Sequence, residues 1–282
     1  KRSDGCRRRQ PDIGRIMGWT FIRTIIVAYL LLVVVLWVFQ RRFIYFPTRA
    51  GQAQLQTMAH DLGLEPWVLS DGTLSGWSSP GAGHRWIIFH GNAGFAMHRA
   101  GFVTLIRAVD PSAAVYLFEY PGYGARPGPP SESKIAAAAE AAVKDLAAKS
   151  GNDLVLLGES IGSSFAAGIA QRLGDRVKGV LLITPFDRLS NVAAHHYPFL
   201  PIRWLLRERH EVTTGLAGFG GRVAVVVAEN DSVVPRKLGE ALHDGLSCEK
   251  RLWVVPGADH NSIPYKASAG WWRETVAFVT GR

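Results

Sequence analysis

Gly158-Glu159-Ser160-Ile161-Gly162 directly follows the run 153–157 and directly precedes an Ala-rich stretch with helical spacing. A strand that turns so sharply into a helix pushes its central side chain beyond the sheet edge, with the hydroxyl exposed. The flanking glycines are needed because a Cβ at either position would collide with the neighbouring strand or helix. With 30 glycines in 282 residues, the pentapeptide alone would arise by chance in roughly one such chain in five. Its meaning therefore depends on the elements around it.

Those elements alternate. Apolar runs at 86–89, 113–118, 154–157, 180–183, 223–227 and 252–255 read as buried strands, with helical patterns at 135–148, 163–173 and 237–246. This rhythm predicts an α/β fold, a mostly parallel sheet flanked by helices on both faces. Segments 67–69 and 73–77 around Asp71-Gly72 carry a hairpin signal. The stretch 186–220 interrupts the alternation and predicts a short helical cap.

The formal net charge of +9 invites a nucleic-acid reading. Its distribution argues otherwise: residues 1–50 hold ten Lys/Arg against two Asp/Glu, leaving 22 against 21 in the remaining 232. Basicity thus belongs to one end of the chain, and no nucleic-acid partner is expected. That end flanks the uncharged run 24–39, which extends back to Trp19 if Arg23 snorkels. Sixteen helical residues span about 24 Å and twenty-one about 31 Å, against a hydrocarbon core of about 30 Å. Trp19, Trp37, Phe43 and Tyr45 mark its ends as an aromatic belt would. A cleaved signal peptide would need small residues at its end, and Val38-Phe39-Gln40-Arg41-Arg42 has none. The expected organisation is a basic tail at 1–18, a transmembrane anchor at 19–40 and one domain at 41–282, with 43–50 as its connector. The larger basic cluster precedes the run, which predicts a cytoplasmic N-terminus and a body on the other side of the membrane. Cys6 and Cys248 would then lie on opposite sides and could not pair. Neither CxxC nor His-rich ligand spacing occurs, so no zinc site is expected.

In parallel sheets, ligands bind beyond the carboxyl ends of the strands. Those ends carry Ser160, Asp231 and His260 in that chain order, together with the turn His90-Gly91-Asn92-Ala93-Gly94 and the loop Tyr120 to Gly124. A serine hydroxyl needs a base to become nucleophilic, and a histidine base needs an acid to hold its tautomer. Ser160 is thus the candidate nucleophile, His260 the base and Asp231 the acid. Asp187 and Asp259 are the rival acids, the latter awkwardly adjacent to the histidine. Two N–H donors are expected to face the developing oxyanion, one from Ile161 and one from Asn92 or Ala93, with Asn92 favoured. His90 is read as fixing that turn, His195 and His196 as packing the cap, and Ser163 and Ser164 as helical residues turned away from the site.

These residues together resemble a known group. Phe46-Pro47, His90 to Gly94, Tyr120 to Gly124 leading into Gly128-Pro129-Pro130-Ser131-Glu132, and Gly158 to Ser163 carry the likeness, with Asp231 before Val233-Val234-Pro235 and Gly257-Ala258-Asp259-His260-Asn261. The pattern is similar to the membrane-anchored α/β-hydrolases of the bud-emergence-suppressor-related type, although Ala125 stands where those proteins often have Ser. The resemblance implies a cofactor-free serine hydrolase acting on carboxylic esters, lipid esters or acyl thioesters, with nucleophile, acid and base at Ser160, Asp231 and His260. A serine aminopeptidase-like peptidase keeps the same triad on another bond. A membrane-tethered binding protein without turnover is the reading from a different class. Cap residues Phe199, Leu200, Trp204, Leu205 and Leu206 suggest a lipid-derived substrate.

Overall fold

The structure, a computed structural model, describes residues 13–149 and 153–282. Residues 1–12 of the expected basic tail, with Cys6, lie outside the described residues. The chain divides into two compact units, residues 1–40 and 41–282.

Helix α1 (Ile13–Ile44) opens the chain. Its segment Met17–Ile44 has 28 residues, and the most apolar 18-residue window within it has a mean hydropathy of 2.6 and no burial, so it is long and apolar enough to cross a membrane. The helix runs past residue 40 into the expected connector because no glycine or proline interrupts it before Pro47.

In the second unit, eight strands form one sheet: β1 (Glu65–Val68), β2 (Leu74–Ser79), β3 (Arg85–Phe89), β4 (Ala114–Phe118), β5 (Leu154–Glu159), β6 (Val177–Ile183), β7 (Arg222–Ala228) and β8 (Lys250–Val255). Their order is β8-β7-β6-β5-β3-β4-β2-β1. The run β3 to β8 is parallel throughout, while the β1–β2 hairpin joins β4 antiparallel. Trp86, Ile87, Ile88 and Phe89 are all at most 1% exposed. Since successive side chains point to opposite faces, both faces of β3 must be covered, and this is why the run reads as continuously apolar.

The covering helices are α2 (Gln52–Asp61), α3 (Gly101–Arg107), α4 (Glu132–Ala148), α5 (Gly162–Leu173), α6 (Leu189–His196), α7 (Ile202–Leu205), α8 (Val212–Gly215), α9 (Arg236–Gly245) and α10 (Gly270–Thr280). α4 begins three residues earlier than its apolar periodicity suggests, because Ser131 caps it by accepting from the Lys134 N–H at 3.3 Å. α10 escaped the sequence pattern: its Trp, Val, Phe and Thr content has weak helical preference, and packing on the sheet overrides it. Gly179 on β6 allows that approach, since a Cβ there would sit 2.3 Å from the Val279 carbonyl oxygen. α6, α7 and α8 occupy the stretch expected as a cap.

Candidate active site

β3 and β5 are parallel neighbours, so the turn after Phe89 and the turn after Glu159 emerge side by side at one sheet edge. Ser160 follows β5 with φ 52°, a left-handed conformation that an L-residue adopts at a cost of order 1–3 kcal/mol. Its N–H donates to the Ile183 carbonyl at 2.9 Å, which stitches the turn to β6. The flanking glycines have the expected cause. A Cβ on Gly158 would meet Ser163 Cα at 2.6 Å, and one on Gly162 would meet the Phe89 carbonyl oxygen at 2.1 Å.

β7 and β8 deliver the partners. His260 Nε2 lies 3.1 Å from Ser160 Oγ, and its Nδ1 lies 2.8 Å from Asp231 Oδ2 and 3.1 Å from Oδ1. With a carboxylate on Nδ1, that nitrogen carries the proton and Nε2 is left to accept from the serine hydroxyl. The Asp231 side chain is 2% exposed and that of His260 10%. The Val233 and Val234 N–H groups donate to Asp231 Oδ1 at 3.0 and 2.6 Å, so the turn itself orients that carboxylate. The rivals are engaged elsewhere. Asp187 accepts from Asn191 Nδ2 at 2.5 Å, and its carbonyl accepts from the Val212 N–H. Asp259 accepts from the Ser232 and His260 N–H groups, and these bonds hold its carboxyl below the usual range.

The Asn92 side chain anchors its own turn: Oδ1 accepts from the Phe46 N–H and from Tyr123 Oη, both at 3.3 Å. Among the described residues no protein acceptor takes the backbone N–H of Asn92 or of Ile161. Both donors are therefore available, one on each of the two adjacent turns. His90 is buried, stacks on Tyr120 with centroids 3.8 Å apart, and its Nδ1 lies 2.7 Å from the Gly91 carbonyl. Sequence reasoning passed over Glu159. Its carboxylate accepts from the Gly91 N–H at 3.3 Å, pairs with Arg99 Nε, and takes Tyr265 Oη at 3.4 Å. It thereby ties the β3 turn and the segment after His260 to the residue before Ser160.

A family model of the alpha/beta hydrolase fold matches residues 87–212. An uncharacterized protein of Mycobacterium tuberculosis is 36% identical over 235 residues, covering 80% of this chain and 82% of that one. The chain belongs to the alpha/beta hydrolase family. Among more distant relatives, a lysophosphatidylserine lipase of Danio rerio is 27% identical over 204 residues, 66% of this hydrolase and 52% of that protein. An esterase from Exiguobacterium antarcticum shares the fold with a TM-score of 0.55 at 16% identity, over 75% of this chain and 97% of that one. The family match spans Asn92, Ser160 and Ile161; Asp231 and His260 lie beyond it.

A second polar cluster of this hydrolase lies behind the elbow. Tyr45 Oη donates to Glu208 Oε2 at 2.7 Å and lies 2.9 Å from His210 Nε2, while Ser164 Oγ lies 2.7 Å from His210 Nδ1. The donors close as a chain when His210 is neutral: Nε2–H donates to the phenol oxygen, and Nδ1 accepts from Ser164. Glu132 accepts from the Arg209 and His210 N–H groups, and Arg41 Nε donates to Glu208 Oε1 at 2.7 Å. Ser164 does turn away from Ser160, but toward a partner. Burial pushes the His210 imidazole down to about 4 and the Tyr45 phenol well up, with Glu208 adding to the latter. Ligand atoms of Glu132, Glu208 and His210 lie within 4.8 Å of one another, a spacing a metal ion would accept. Each of those side chains already has the hydrogen-bond partners just named, so the group reads as a structural network. No local pattern marks it in the sequence, since its members come from four separate segments.

Proposed function

We propose that this chain is a serine hydrolase of the membrane-anchored, bud-emergence-suppressor-related type, cleaving carboxylic esters or acyl thioesters through an acyl-enzyme on Ser160. The observation that carries the reading is a single imidazole, His260, within hydrogen-bonding distance of Ser160 on one side and Asp231 on the other. As substrate binds, His260 Nε2 takes the proton from Ser160 Oγ while the oxygen attacks the acyl carbon. Asp231 stabilises the resulting imidazolium. The N–H groups of Ile161 and Asn92 receive the developing oxyanion. His260 then returns the proton to the leaving alcohol or thiol, and a water deprotonated by the same imidazole hydrolyses the acyl-enzyme. The chemistry uses no cofactor.

Helix α1 serves as the anchor, with a cytoplasmic N-terminus and the hydrolase domain on the other side. Protease protection of sealed vesicles distinguishes that orientation from its reverse. Proximity to lipid, and the lipase among the relatives, favour a lipid-derived acyl substrate.

The test is fluorophosphonate labelling of the detergent-solubilised chain beside Ser160→Ala and His260→Ala. Labelling is expected to vanish in both variants while thermal unfolding stays unchanged. Hydrolysis of p-nitrophenyl esters but not aminoacyl anilides separates esterase from peptidase. A folded chain that no covalent serine probe modifies would sink the catalytic reading in favour of a tethered binding protein.

A further inference from the structure

The cap turns large aromatic rings toward solvent. Trp204 is 88% exposed, Phe199 62% and Tyr197 52%. A side chain of this size left in water forgoes roughly 2–3 kcal/mol of burial, so rings grouped on one short segment point to something that covers them. Tyr197 and Phe199 meet edge-on at 6.4 Å in the link between α6 and α7, and exposed Arg203 precedes Trp204 within α7. The patch adjoins the candidate active site. His196 Nε2 lies 2.8 Å from the Val233 carbonyl oxygen, and the Val233 N–H is one of the two that orient Asp231.

The other end of the patch is pinned beside the exit from α1. Arg41, in the last turn of that helix, donates to Glu208, and so does Tyr45 immediately after it. Trp204 stands four residues before Glu208, within about 14 Å of it even along fully extended chain. The cap aromatics are therefore tethered a short chain length from Arg41 and Tyr45.

We propose that the cap face formed by Tyr197, Phe199, Arg203 and Trp204 docks on the surface of the membrane that α1 crosses, so that the rim of the active site faces the lipid interface. The occupant is the boundary between headgroup and acyl chain. Tryptophan and tyrosine favour that boundary because one part of the ring system is apolar and the other hydrogen-bonds. The Arg203 guanidinium matches the phosphate of an anionic headgroup. The inference rests on α1 being a membrane anchor.

The experiment uses the full chain, with Cys6→Ser and Cys248→Ser, reconstituted in vesicles of phosphatidylcholine and phosphatidylglycerol. An environment-sensitive fluorophore is attached to a single cysteine introduced as Trp204→Cys, Leu31→Cys or Asp175→Cys. Leu31 is 61% exposed within α1 and reports the anchor. Asp175 is exposed in the turn before β6, at the sheet edge opposite Ser160, and reports the aqueous side. Lipids carrying a nitroxide, near the headgroup for position 204 and deep in the acyl chain for position 31, are expected to quench those two labels about threefold or more above the label at 175. Quenching at 31 with position 204 no different from 175 overturns docking and leaves the anchor standing. Absence of quenching at 31 removes the anchor, and docking with it. A label at 204 shielded from aqueous iodide yet untouched by the lipid nitroxides also overturns the proposal, since a protein or a second copy would then cover the face.

Discussion

Single residues at the elbow carry constraints that their neighbours cannot relax. Gly162→Ala would put a Cβ 2.1 Å from the Phe89 carbonyl oxygen and 2.8 Å from that of His90, both main-chain atoms of the β3 turn. Neither can swing aside as a flexible side chain would, so the strand and the helix must separate. A loss of about 3 kcal/mol is expected, read as a lower urea midpoint, together with loss of fluorophosphonate labelling as the two turns move apart. Asp231→Asn tests a different property. It keeps the side chain's shape but lets an amide face His260 Nδ1, favouring the wrong tautomer. On the proposed mechanism, ester kcat falls by about 10⁴-fold, while the melting temperature changes little; a variant within tenfold of wild type would remove Asp231 from the machinery.

Among the elements, the cap is the one whose attachment the strand–helix pattern left unspecified. Glu208 and His210 sit in a short irregular stretch between α7 and α8, and His210 adopts φ 43°. What holds them is the last turn of α1, through Arg41, the residue just after that helix, Tyr45, and the N-terminus of α4, through Glu132. Tyr45→Phe removes one hydroxyl, leaving His210 Nε2 without its partner in a buried setting and Glu208 Oε2 with the Glu132 N–H alone. A cost of about 1–3 kcal/mol follows, seen in chemical denaturation. Because Ser164 stands one turn along α5 from Ser160, hydrogen exchange should also quicken at the start of α5 and across 206–212. Unchanged exchange there would mean that the network does not brace the elbow helix.

At the scale of the whole molecule, His210 makes stability depend on acidity. Its ordinary value is 6.5, and burial lowers it to about 4 in the folded chain. Between those limits the unfolded chain binds the proton and the folded chain does not, so stability is full above about pH 6.5 and declines as pH falls toward 4. At about 1.4 kcal/mol per pH unit the decline is at most about 3.5 kcal/mol. Glu132, raised by burial, works in the opposite direction lower in the range. Comparison with His210→Gln isolates the imidazole: the variant's melting temperature should vary less with pH across that window, and parallel curves would rule the account out. The order of strands and helices, the elbow at Ser160 and the long apolar helix were legible in the sequence because they rest on interactions within a strand or a few turns of helix, which leave period-2 or period-3.6 traces. So was the placement of Asp231 and His260 at strand ends. Which carboxylate reaches His260 was decided only in three dimensions, because Asp187, Asp231 and Asp259 all follow or adjoin strand ends and only the register of β7 against β8, with two N–H groups on the Asp231 turn, separates them. The Tyr45–Glu208–His210–Ser164 network likewise depended on tertiary structure, since its side chains meet across separations of 46 to 165 residues and leave no periodic mark on the chain that encodes them.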